Sequence, residues 1–134
     1  MKTFVVAWIV AFVVWMFGSF LVHGVLLAGD YRALPALFRT EADGAAHMPF
    51  LLIAHVISSG ALAWIYGRGV QARPWLGQGV RFGLAAACLL PVYTYLVYFA
   101  VQPMPPALVV RQVIFDSTVV ILVGVAIAFV HRRA

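Results

Sequence analysis

Asp116 has the most to explain of any residue in this chain. It stands in the apolar segment 108–130, more than a helical turn from either end. A charged side chain near the middle of a membrane helix costs about 2.5–3.5 kcal/mol on insertion scales. Asp116 is therefore expected either to carry its proton or to have a partner. Arg111 is near in sequence, but a five-residue offset sets the two side chains roughly 140° apart on an ideal helix. Arg111 is expected to snorkel to headgroups instead. His23 and His55, each in another apolar segment, are the better partners. Two histidines and a carboxylate can pass a proton or ligate a metal, and two histidines can hold a b-type haem. Neither histidine belongs to a His-x-x-x-His pair, so no cofactor is expected. Haem b, or a metal on His23, His55 and Asp116, stands as the alternative.

Other polar residues recur at helical spacing around these three. Trp15, Ser19 and His23 follow i, i+4, i+8, and His55, Ser58, Ser59 and Leu62 share a second face. Pro91, Tyr95, Tyr98 and Gln102 share a third, and Gln112 and Asp116 a fourth. Counted at 1.5 Å per residue, Ser19, His55, Tyr95 and Asp116 lie roughly 10–12 Å from the same membrane face, and His23 about 6 Å. Polar stripes avoid lipid, so they should face one another and line a cup open at one end. The expected pocket residues are Ser19, His23, His55, Ser59, Tyr95, Tyr98, Gln112 and Asp116. Tyr93, Tyr95 and Tyr98 also suit an interfacial aromatic belt. His47 is expected at the mouth, in water.

The elements that must position these residues are four apolar stretches, at about 4–27, 48–67, 82–102 and 108–130. Each reaches the ~20 residues needed to cross a bilayer. The chain has 134 residues, 65% of them apolar and 10% charged, where a soluble domain carries roughly 25% charge. Mean hydropathy is +1.03. The expected fold is all-α, a single domain over 1–134 with four transmembrane helices in an antiparallel bundle. The first stretch is too long for a signal-peptide core and is expected to stay as a span.

A net charge of +5 does not point to nucleic acid, because the basic residues sit at span ends. Lys2, Arg68, Arg73, Arg81, Arg132 and Arg133 fall at the termini and second loop. Arg32, Arg39 and Arg111 fall at the first and third loops. The excess predicts cytoplasmic termini, with membrane lipids as the immediate partners.

Leu34, Leu37 and Phe38 suggest a short interfacial helix in the first loop, and Asp43-Gly44 a turn. Trp75 suits the headgroup belt. Gln102-Pro103-Met104-Pro105-Pro106 makes a tight hairpin, so the last two helices should be antiparallel neighbours. Pro91 should kink the third span. Cys88 reads as a small packing residue. The pairs Gly79/Gly83 and Gly124/Ala128 allow close helix approach, within the chain or in a homodimer or larger membrane complex.

No nucleotide-binding loop, metalloprotease motif or nucleophile elbow is present, which disfavours an enzyme. His23-Gly24-Val25-Leu26-Leu27, Trp64-Ile65-Tyr66-Gly67, Gly79-Val80-Arg81-Phe82-Gly83 and Gln102-Pro103-Met104-Pro105 resemble segments of small uncharacterised four-span proteins of bacterial inner membranes. The resemblance implies topology and location but no chemistry.

The leading functional expectation is a binding or accessory membrane protein with an outward pocket for a lipid-like or amphipathic ligand, or for a partner protein. A dimeric transporter or channel coupled through Asp116 is second, and a redox protein using His23 and His55 third. The topology is directly testable. A reporter active only in the cytoplasm should be active when fused behind Ala134; one active only outside the cell would invert the pocket's orientation.

Overall fold

The computed structural model describes residues 1–132, and its regular structure there is entirely helical. Four helices, Lys2–Leu26, Met48–Arg68, Trp75–Val101 and Pro106–His131, are long and apolar enough to cross a membrane. The chain is an all-α, multi-pass membrane protein. Its outer surface fits that solvent: Phe17, Phe50, Ile57, Leu89, Val101 and Ile114 are all more than half exposed. Arg133, counted above among the basic residues near the termini, lies outside the described residues.

Proline marks the helix starts. Pro49 and Pro106 occupy first-turn positions, where a missing N–H costs nothing, and Pro74 sits just before the third span. Below, the end holding the N-terminus, the second loop and His131 is called proximal. The end holding the first and third loops is called distal.

In cross-section the spans run second, first, fourth, third. The fourth is central and buries Val119, Val120, Val123, Ile127 and Ala128. Its contact with the third span is made backbone to backbone. A Cβ added at Gly83 would lie 2.6 Å from the Cα of Ile121, and one at Gly124 would lie 2.7 Å from the carbonyl oxygen of Gly79. Gly79, Gly83, Gly124 and Ala128 thus face one another inside the chain. They offer no surface to a second copy, so a dimer cannot rest on them. The first and second spans are clasped differently. Trp8 Nε1 donates to the Val56 carbonyl at 2.9 Å, across a space that Gly60 leaves open.

Several local expectations need correction. The third span begins at Trp75, not near residue 82, which leaves only 69–74 as loop. Gly77 and Gly79 read as loop residues, but Gly79 is needed inside the helix, where it meets Ala128. Trp75 rests edge-on against Phe129, centroids 5.4 Å apart. The first loop has no helix over 34–38. Pro35 interrupts it, and short helices form on either side, at Ala28–Arg32 and Glu41–Ala46. Leu34, Leu37 and Phe38 turn inward against the cluster of Val22, Leu27, Met104, Leu108, Val109 and Val119. Asp43-Gly44 is helical because the Thr40 side chain caps that helix, accepting from the Asp43 N–H at 3.3 Å. Cys88 faces outward rather than into the core.

Two of the spans contain wide, π-type turns, Phe20–Leu26 in the first and Cys88–Val92 in the third. The second surrounds Pro91, which has no N–H to give and cannot sit in a regular helical ladder.

The glycine contacts predict a clear mutational outcome. Gly83→Leu and Gly124→Leu should each cost roughly 1–3 kcal/mol or more, because the obstructing atoms are backbone and cannot rotate away. Thermal unfolding in detergent checks this, and midpoints equal to wild type would contradict the packing.

Candidate functional site

The distal half of the bundle contains one connected polar cluster, centred on Asp116. Its Oδ1 lies 3.1 Å from His23 Nε2, and its Oδ2 accepts the hydroxyl of Tyr95. The other ring nitrogen of His23, Nδ1, lies 2.5 Å from the hydroxyl of Tyr31. Gln112 Nε2 donates to that same hydroxyl at 3.3 Å. An arrangement with the carboxylate ionised satisfies every link. The carboxylate accepts from His23 Nε2–H and from Tyr95, His23 Nδ1 accepts from Tyr31, and Tyr31 accepts from Gln112. The histidine tautomer is assigned from this network.

Each member arrives from a different element. His23 lies within the wide turn of the first span, and Tyr95 follows that of the third. Such turns shift the face that later side chains present. Tyr31 comes from the helix Ala28–Arg32, folded back over the distal end. It is held there by Phe38, ring centroids 4.6 Å apart, and by the ion pair of its neighbour Asp30 with Arg111 at 2.7 Å. Arg111 therefore ties down the loop, with its side chain still 45% exposed.

Burial pushes the Tyr31 phenol up to about 12; the hydrogen bond from Gln112 opposes this, and the negative charges of Asp116 and Asp30 add to it. Tyr31 is therefore neutral at ordinary pH, as a donor to His23 must be.

Beside the cluster lies a cavity of about 270 Å³. His23, Tyr95 and Asp116 form its polar wall, and Trp15, Ala54, Leu90, Pro91 and Val120 supply apolar surface. Asp116 keeps 15% and His23 33% of its side chain exposed, so both remain accessible. The second and third spans meet at the proximal end, where Tyr66 and Phe82 stack edge-on at 5.2 Å. Toward the distal end they do not pack closely on each other, and the cavity opens between them. A second chamber of about 410 Å³ lies farther out, shares His23, Tyr95 and Tyr98, and adds Tyr31, Phe38 and Gln112.

Ser19, His23, His55, Tyr95, Tyr98 and Asp116 line the first cavity, as the spacing suggested, and Gln112 lines the second. Ser59 lines neither. It is fully buried, with its hydroxyl donating to the Val56 carbonyl at 3.1 Å. Its neighbour Ser58 takes the cavity position, because the stripe from His55 splits at 58 and 59 and the second half turns toward the core. His55 does not reach Asp116. Its Nδ1 pairs with the Leu51 carbonyl at 2.8 Å, and its ring meets Trp15 edge-on. His47 lines neither cavity and is partly exposed beside Asp43. Asp43 itself is held below the usual carboxylate range by its hydrogen bond from Arg39. Tyr31 was missed, since a loop tyrosine carries no helical periodicity. The inward-turned Leu34, Leu37 and Phe38 were the available signal that this loop folds back.

Among the described residues, no three His, Cys, Asp or Glu side chains are grouped to hold a metal ion. Both nitrogens of His23 are already engaged by Tyr31 and Asp116. The Oε1 of Gln112 is buried beside the second chamber with no hydrogen-bond partner.

Fold and site together define a small four-span membrane protein with a polar cluster set in the wall of a one-ended cavity. Comparisons with protein-family models, with curated proteins and with solved structures give no match to the chain.

The raised phenol of Tyr31 fixes a pH dependence. The neutral phenol is the form the fold prefers, so its contribution is complete below pH 10, the ordinary value, and is lost as pH rises toward 12. Wild type should exceed Tyr31→Phe in thermal stability at pH 8, and the gap should shrink between pH 10 and 12. A gap unchanged up to pH 12 would contradict the buried hydrogen bond.

Proposed function

We propose that this chain is a binding or accessory protein of the bacterial inner membrane. Its termini lie in the cytoplasm, and its cavity, open toward the outer leaflet, holds the polar head of a lipid-like or quinone-like amphipathic molecule. The observation that carries this reading is the cavity's make-up: aromatic and aliphatic on most sides, with a preset cluster of His23, Tyr95 and Asp116 on one wall. Binding sites for such molecules are mostly apolar, with a few fixed polar groups that orient the ligand. The volume suits a ring or headgroup, leaving the tail to lie between the second and third spans.

A conducting role through Asp116 has less support. Below the cavity the spans close around an apolar cluster that includes Ala7, Ala11, Leu62, Ala63, Ala86, Ala87, Val123 and Ile127, with Tyr66 at its proximal edge.

The test is mass spectrometry of the organic extract from protein purified in mild detergent. A defined amphipathic compound should accompany the wild type and be depleted in Ser19→Leu, which fills the cavity. Extracts that do not differ between the two proteins would refute the reading. Proton-driven flux in liposomes, abolished by Asp116→Asn, would replace it with the transporter.

A further inference from the structure

The charges of this chain are divided between its ends. All four carboxylate side chains lie in the distal half, and all are engaged: Asp30 with Arg111, Glu41 with Arg32, Asp43 with Arg39, and Asp116 with His23 and Tyr95. Every distal arginine therefore has an acid. Lys2, Arg68, Arg73, Arg81 and Arg132 at the proximal end have no aspartate or glutamate within reach, because none is left.

Two of these cations share a cleft. About 470 Å³ lies open at the proximal end between the second loop and the end of the fourth span, with Arg73, Arg132, His131, Gln71 and Trp75 in its walls. An adjoining depression adds Arg81 and shares Arg73. The site is built rather than incidental. Gln78 spends its whole amide on the loop: Nε2 donates to the carbonyls of Gln71 at 2.8 Å and Arg73 at 3.0 Å, and Oε1 accepts from the Gln71 N–H at 3.0 Å. That fixes the backbone carrying Arg73. The Arg132 guanidinium is set over the Phe129 ring, 3.3 Å from its centroid. The third span starts here at Pro74, with no side chain capping its first N–H groups.

We propose that this proximal cavity binds the phosphate headgroup of an anionic phospholipid, with Arg73 and Arg132 as its principal contacts. Basic pockets between membrane helices at the headgroup level are suited to this chemistry. Planar guanidinium groups match a phosphodiester's oxygens, and no aspartate or glutamate lies at this end to compete for them. Arg68 belongs to the same end but lines neither cavity, lying instead over Trp64 at 5.0 Å. It separates a pocket from a diffuse positive field.

The experiment is native mass spectrometry of the full chain from mixed micelles of phosphatidylglycerol and phosphatidylcholine in equal amounts. Wild type should retain phosphatidylglycerol roughly 10-fold over phosphatidylcholine, about 1.4 kcal/mol of preference. Arg73→Gln with Arg132→Gln should lose that preference, Arg73→Lys with Arg132→Lys should keep part of it, and Arg68→Gln should keep all of it. Equal retention of the two lipids by wild type would overturn the proposal. So would a preference that survives the double glutamine variant, or one that Arg68→Gln reduces as much as that variant does. Displacement of the retained lipid by low-millimolar inorganic phosphate would also overturn it, by marking a site for soluble phosphate. The substituted side chains are at the surface, and an unchanged thermal midpoint confirms that the variants are folded.

Discussion

A carboxylate placed among hydrocarbon chains must be supplied with donors, and the distal half of this protein is arranged around that requirement. Asp116 draws His23 from the first span and Tyr95 from the third. His23 in turn engages Tyr31, which brings the first loop down over the bundle, where Arg111 secures it through Asp30. One partly buried carboxyl group thus ties three spans and a loop together. Removing the carboxylate would leave two donors unpaired, at about 1–3 kcal/mol for each group left without a partner. The second span has no share in this network. It is bound to the first through Trp8 and Val56, so its distal half can stand apart from the third span. The cavity is the space created by that exclusion.

Much of this could be read from the residues alone, because the governing signals were periodic. Spans of about 20 apolar residues, broken by polar side chains at i, i+4 spacing, place Ser19, His23, Tyr95 and Asp116 on inward faces whatever the loops do. What could not be read were features that depend on a partner. Whether Gly79 belongs to a loop or a helix is decided by Ala128 and Gly124 across the interface, not by its neighbours in sequence. Ser58 and Ser59 are adjacent, and only the position of the first span determines which one meets the cavity. The wide turns at Phe20–Leu26 and Cys88–Val92 alter the helical period just where the functional side chains project. Pro91 announced one of them, and nothing comparable announced the other.

The pairing of charges at one end and their isolation at the other have different physical meanings. The ion pairs of Arg32 and Arg39 are exposed and contribute little to stability. Their effect is on the field, since they cancel the positive charge of the distal loops. The proximal arginines keep theirs. Insertion direction follows the Lys and Arg count near span ends and takes little account of acidic residues, so the pairing itself bears on surface chemistry and not on orientation.

The gap between the second and third spans lies on the flank of the bundle, between helices whose outer faces carry Ile57, Leu89 and Leu96. A lipid-like ligand of the kind proposed would enter from the membrane, in competition with acyl chains. Occupancy is then governed by mole fraction among the lipids instead of by aqueous concentration. Diluting the protein with buffer would leave a bound molecule in place, whereas diluting it with lipid or detergent would strip it. An affinity expressed in molar units would therefore change with the amount of bilayer in the sample, even though the site itself had not.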